Sequence, residues 1–243
     1  MFEAALSHHK KVCLSVSGGK DSTATAWLLR PHWDRIRFYH LDCGDALPEV
    51  RAVVDELQGI LPNLTVVKRN VHDWIAANGL PSDLVPYTSD PLGQCITQAP
   101  RLVPLQACCW ANIMQPLHER IKADGNTLVI RGTKRADMKR LPMQSGQVLD
   151  GIELLLPLEH WTNADVMAYL REQGAPIAAA YDYFEDMADC ATCSAWWGEK
   201  RAAYLRHRHP ELFERYRTRM AAVLDAVGPV AAAMAAELKE LGR

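Results

Sequence analysis

The segment Ser17-Gly18-Gly19-Lys20-Asp21-Ser22 concentrates groups that can hold an anion. It follows the short apolar run Lys11 to Val16 and leads into Thr23-Ala24-Thr25-Ala26-Trp27-Leu28-Leu29, which reads as helix. A strand that turns directly into a helix aims backbone N–H groups outward, and the helix N-terminus adds partial positive charge. Gly18 and Gly19 let the main chain come close to a phosphate. Lys20 can neutralise that phosphate, Ser17 and Ser22 can donate hydrogen bonds, and Asp21 can hold Mg²⁺ or anchor the turn. The spacing is neither G-x-x-x-x-G-K-[ST] nor G-x-G-x-x-G.

Cysteine is the second chemical signal. Seven are present, an odd number that suits a closed disulfide framework poorly. Cys108-Cys109 and Cys190-x-x-Cys193 form two pairs far apart in sequence. A C-x-x-C turn is a two-ligand bite for a metal, so the two pairs supply four thiolates, enough for a 4Fe–4S cluster or for Zn²⁺. Adjacent cysteines fit the corners of a cluster better than one tetrahedral ion. A buried Cys pair beside a redox C-x-x-C is the plainer alternative. Cys13 reads as a small hydrophobe on a buried strand. Cys43 and Cys95 read as packing residues, with a role in carrying sulfur as the alternative for either, and Trp110, Trp196 and Trp197 as a shield that keeps water from the cysteine pairs.

These groups must be positioned by a regular framework. Strands are expected at Lys11–Val16, Ile36–Leu41, Leu64–Lys68, Thr127–Ile130 and Ile152–Leu156. Helices are expected at Pro48–Leu61, about Cys109–Ala123, and Asn163–Glu172, the last opened by Thr162 as N-cap. Strands alternating with helices predict an α/β fold: a parallel five-stranded sheet with helices on both faces. Leu80 to Pro104 is Pro-rich and reads as an irregular loop or lid. From Glu199 the chain reads as a helical C-terminal extension, with Gly228-Pro229 breaking its last helix. The expected division is a domain over 1–198 and the extension over 199–243.

Hydrophobic residues are 49% and charged residues 23% of the 243, a globular composition that excludes disordered and collagen-like chains. Apolar runs look too short to cross a bilayer, and the start lacks a basic-then-apolar leader, so a cytoplasmic protein without membrane contact is expected. The net charge of −2 advertises no nucleic-acid partner. Two local segments could still meet one. Arg131, Lys134, Arg135, Lys139 and Arg140 cluster after a strand end, and residues 199–219 carry seven Lys/Arg against three acidic residues.

The hexapeptide resembles the PP-loop of the adenine nucleotide α-hydrolase superfamily. His40-Leu41-Asp42-Cys43-Gly44-Asp45-Ala46-Leu47-Pro48-Glu49 resembles the Asp-Thr-Gly-x-x-x-Pro-Glu motif of its phosphoadenosine phosphosulfate (PAPS) reductase family, with Cys43 in place of Thr. Arg131-Gly132-Thr133-Lys134-Arg135 through Arg140 resembles that family's Gly-x-Arg…Arg segment. Pro157-Leu158-Glu159-His160-Trp161-Thr162…Asp165-Val166…Tyr169 resembles its Pro-Leu-x-x-Trp stretch. The resemblance implies a HUP-like (Rossmann-like) fold and an adenine-nucleotide site built from Ser15, Ser17, Gly18, Gly19, Lys20, Asp21, Ser22, Asp42, Gly132, Arg135 and Arg140. Lys20, Asp21 and Arg135 would act in catalysis. Cys108, Cys109, Cys190 and Cys193 match the 4Fe–4S ligands of the iron–sulfur branch, the adenosine phosphosulfate (APS) reductases.

Two departures shape the functional expectation. The reductases carry a degenerate Ser-x-Gly-Ala-Glu-Asp loop, whereas Ser-Gly-Gly-Lys-Asp-Ser is the form of members that use ATP. The reductases also use a C-terminal cysteine nucleophile, and residues 194–243 contain no cysteine. The expected activity is therefore cleavage of ATP, with Mg²⁺, to AMP and pyrophosphate, activating an acceptor such as nucleic acid for sulfur transfer from a donor such as a cysteine desulfurase. The alternatives are an APS/PAPS reductase fed by thioredoxin and a non-catalytic nucleotide-binding subunit. A homo-oligomer is compatible with each.

Overall fold

The computed structural model describes residues 2–137, 143–198 and 200–242. The chain divides into two compact units: residues 1–42, 46–69 and 114–187, and residues 43–45, 70–113 and 188–243.

The first unit is built on β1 (Val12–Ser15), β2 (Ile36–Asp42), β3 (Leu64–Lys68), β6 (Leu128–Ile130) and β8 (Ile152–Leu155), all parallel to their neighbours, in the order β3-β2-β1-β6-β8. These are the five expected strands. A two-residue strand, β7 (Val148–Leu149), adds an antiparallel sixth edge that the sequence reading did not contain. Its residues are exposed, and two residues carry no readable alternation.

Central strands buried on both faces read as continuous apolar runs, as Val12-Cys13-Leu14 does. Val12, Leu14, Phe38 and Ile130 pack beneath α1 (Phe2–His8), α2 (Lys20–Leu28), α3 (Pro48–Ile60) and α7 (Asn163–Gln173), through Leu6, Trp27, Leu57 and Val166. Cys13, Tyr39 and Val129 point to the opposite face and meet Leu117 and Ile121 of α6 (Gln115–Ala123). Helices thus cover both faces. Thr162 caps α7 as expected, in a complete capping box with Asp165.

The second unit holds α4 (Val71–Asn78), the parallel pair β4 (Leu80–Ser82) and β5 (Leu102–Pro104), α5 (Leu105–Cys109), α8 (Arg201–Arg208) and α9 (Pro210–Glu240). The stretch expected as an irregular loop is bracketed by its own small sheet. Pro81 and Pro104 sit in β4 and β5, and each strand has only one partner within this pair. The helix expected at 109–123 is interrupted by a π-helical turn, Trp110–Met114, just after the Cys108-Cys109 pair.

Gly228-Pro229 does not break the last helix, which runs through it to Glu240. Pro229 is exposed, so water can satisfy the Asp225 carbonyl that it leaves without an N–H donor. The 31-residue α9 also corrects the expectation that every apolar stretch is too short for a bilayer: its alanine-rich half gives a window of mean hydropathy 1.5. Its other half buries Tyr216, Arg219, Val223 and Ala226, the last two against Leu102 and Leu80.

Candidate functional site

In an open α/β sheet, ligands bind beyond the carboxyl ends of the strands where strand order reverses. That point lies between β1 and β6, since the chain fills β2 and β3 on one side and β6 and β8 on the other. Ser17 to Gly19 leaves β1 at this place, and Gly132 follows β6. Gly18 has φ +81°, and a Cβ there would stand 2.6 Å from Val54 Cγ2. A Cβ on Gly132 would stand 2.5 Å from the Asp21 backbone carbonyl. The two loops touch through glycine.

Hydroxyl oxygens hold the turn. Ser17 N–H donates to Ser22 Oγ at 3.0 Å, Gly19 N–H to Ser17 Oγ at 3.3 Å, and Lys20 N–H to Tyr181 Oη at 3.0 Å. Three loop amides are thus held by side-chain hydroxyls, oxygen acceptors that phosphate oxygens could replace. Ser15 Oγ, at the end of β1, is buried and makes no hydrogen bond. These observations fit an adenine nucleotide's phosphates.

Lys20 is almost fully buried. Its Nζ donates to Asp186 Oδ1 at 2.6 Å and Asp21 Oδ2 at 3.2 Å, and lies 5.1 Å from the Tyr181 ring centroid. Lys134, equally buried, donates to Asp21 Oδ1 at 2.6 Å and Asp137 Oδ2 at 3.0 Å. Burial pushes the Asp186 carboxyl up, but the Lys20 hydrogen bond and charge outweigh it and hold the group below the usual range. Two lysines meet three carboxylates, a net charge of −1 (+2 − 3).

The expected residues distribute unevenly. Ser15, Ser17, Gly18, Gly19, Lys20, Asp21, Ser22 and Gly132 gather at the turn, and Asp42 ends β2. Arg135 is largely exposed and pairs with Glu159 at 3.0 Å; the cation brought to Asp21 is its neighbour Lys134. Arg140 and Lys139 lie outside the described residues. Sequence reasoning missed Tyr181 and Asp186, which reach Lys20 from more than 160 positions away with no motif to mark them.

The second unit brings the cysteines together. Cys108, Cys109, Cys190 and Cys193 line one small cavity with Asp45 and Arg219. All seven cysteines are free. Burial pushes the Cys108 thiol up to about 11 and the Cys109 thiol up to about 12, and also raises Cys193. The thiols line the cavity without forming a finished metal site: among the described residues, no three His, Cys, Asp or Glu side chains stand at coordinating separations. The donor set still fits an iron–sulfur group, being four thiols around one recess packed by Leu105, Ala195 and Trp196. Trp110 and Trp197 are about half exposed, so of the three tryptophans only Trp196 packs there. Cys43, expected as a packing residue, is buried with its Sγ 3.7 Å from that of Cys190.

Residues 11–194 match the family model of the phosphoadenosine phosphosulfate reductase domain. This chain belongs to that family. A relative from Deinococcus radiodurans, an adenosine 5'-phosphosulfate reductase, is 28% identical over 142 residues, which are 58% of this chain and 49% of the relative. The chain therefore spans about half the length of this curated relative. A solved phosphoadenylyl-sulfate (PAPS) reductase from Candida auris, in complex with phosphate, superposes with a TM-score of 0.55 at 16% identity, covering 77% of this chain and 85% of that one. At that identity the likeness is one of fold, and it supports the Rossmann-like assignment of the PAPS reductase family domain.

Proposed function

We propose that this PAPS reductase family chain is a sulfonucleotide reductase of the iron–sulfur type, acting on APS or PAPS. The observation that carries the reading is the convergence of Cys108, Cys109, Cys190 and Cys193 on one cavity in a chain related to an APS reductase. Those four residues would hold a 4Fe–4S cluster, which supplies charge and rigidity when bound.

In this reading the turn amides and Ser15, Ser17 and Ser22 receive the nucleotide's phosphate and sulfate oxygens. Lys20 is held ready by Asp186 and Asp21, and its charge offsets that of the departing adenosine phosphate. A thiolate attacks the sulfur, the S–O bond to the nucleotide breaks, releasing AMP from APS or adenosine 3',5'-bisphosphate from PAPS, and an S-sulfo thiol forms. A second thiol displaces sulfite and leaves a disulfide. In this reading the thiols come from a dithiol partner such as thioredoxin. Free thiols throughout suit a reducing cytoplasm.

A second reading, cleavage of ATP to AMP and pyrophosphate for sulfur transfer, is favoured by one observation: the loop carries Lys20 and Asp21 in an acidic network. Its net charge of −1 suits a nucleotide that arrives with Mg²⁺, which Asp21 and Asp186 would help hold. Nucleic acid as the sulfur acceptor has less support. Arg201 and Arg219, two of the seven cations in residues 199–219, are buried. Product analysis separates the readings. Sulfite with AMP from APS, or with adenosine 3',5'-bisphosphate from PAPS, supports the first, and Mg²⁺-dependent pyrophosphate from ATP supports the second.

A further inference from the structure

The second unit also contains a buried charge network that nucleotide chemistry does not use. Asp45 follows Cys43-Gly44 and is completely buried. Its backbone carbonyl accepts the Ala191 N–H at 2.6 Å. Its Oδ2 accepts the Thr192 N–H at 3.1 Å and the Thr192 hydroxyl at 2.7 Å. One residue therefore binds both interior positions of the Cys190-Ala191-Thr192-Cys193 turn.

Arg219 closes the arrangement from α9. It donates to the Thr192 carbonyl at 3.1 Å and to Thr192 Oγ1 at 2.7 Å, and its other terminal nitrogen meets His72 Nδ1 at 2.7 Å. Asp45 Oδ1 makes no hydrogen bond, and its nearest ionic neighbours are His72 Nε2 at 3.6 Å and Arg215 at 3.8 Å. A buried carboxylate with an unbonded oxygen is expensive. Asp45 and Arg219 both border the cavity that the four cysteines line.

We infer that Asp45 and Arg219 are positioning residues for a four-thiolate iron–sulfur site: Asp45 locks the Cys190–Cys193 turn, and Arg219 sets positive charge against the thiolates. The inference rests on the cluster reading above. It adds residues that the family motifs do not carry, because Asp45 occupies a variable position of Asp-Thr-Gly-x-x-x-Pro-Glu and Arg219 lies beyond the matched residues 11–194. The physical grounds are general. Partners behind the ligands fix ligand orientation, and nearby charge and hydrogen bonds tune a cluster's potential.

The test uses the full chain, purified without oxygen and loaded with ferrous iron and sulfide. Wild type should hold about four irons. Asp45→Asn and Thr192→Val should lose iron to a chelator roughly 10- to 100-fold faster, with unchanged far-ultraviolet circular dichroism. Arg219→Met should make cluster reduction about tenfold less favourable, a fall of about 59 mV for one electron, and Arg219→Lys should restore most of it. In the iron-free chain, Asp45→Asn should also speed hydrogen exchange at the Thr192 amide. Variants that keep iron and potential at wild-type values would overturn the positioning role and leave the cluster standing. A wild type that takes up no iron would overturn the cluster reading and this inference with it.

Discussion

Lys20 shows what a motif can and cannot reveal. Its place in a glycine-rich turn was legible, because glycine, serine and lysine at a strand-to-helix junction are the residue types that suit an anion. Its partners were not, since Asp186 is brought to it only by folding. Lys20→Met should weaken nucleotide binding at least tenfold by isothermal titration. It should also cost about 1–3 kcal/mol in urea unfolding, because Asp21 and Asp186 lose a charged partner. Cys13 gives a pH signature separate from any metal site. Burial pushes its thiol from 9.0 up to about 12. The neutral thiol is favoured in the fold, so its contribution is complete below pH 9 and is lost as pH rises toward 12. Wild type should lose thermal stability over that window more steeply than Cys13→Ala, as followed by differential scanning calorimetry.

Elements were readable where periodicity was long and lost where it was short. Apolar strands such as Val12-Cys13-Leu14 and the capped helix α7 declare themselves through burial and Thr162. β4 and β5 have three residues each and the edge strand β7 has two, too few for a period, so the sequence shows the small β4–β5 sheet only as loop. Proline misled at 229, because the rule that it ends helices assumes a carbonyl with no other partner. Thr162→Ala should lower Tm by about 2–4 °C, roughly the loss of one N-cap in a chain of this size. Gly132→Ala tests the contact between the two loops. Its Cβ meets backbone, which cannot rotate aside, so we expect a loss of about 1–3 kcal/mol in urea melts together with weakened nucleotide binding.

At the scale of the whole molecule, the sequence named the cysteine pairs but not what lies behind them. Cys108-Cys109 and Cys190–Cys193 were visible as two bites. Asp45 and Arg219 looked like ordinary charges until folding buried them at the same cavity. Residues 11–194 place the chain in the PAPS reductase family, and the lysine-bearing loop is the reason ATP stands as the competing substrate in the second reading. The most direct test of the account is product release by the anaerobic, iron-loaded protein given APS or PAPS with reduced thioredoxin. The account predicts sulfite in equal amounts with AMP from APS, or with adenosine 3',5'-bisphosphate from PAPS, abolished by Lys20→Met. Pyrophosphate from Mg²⁺·ATP, with no sulfite from either sulfonucleotide, would contradict it.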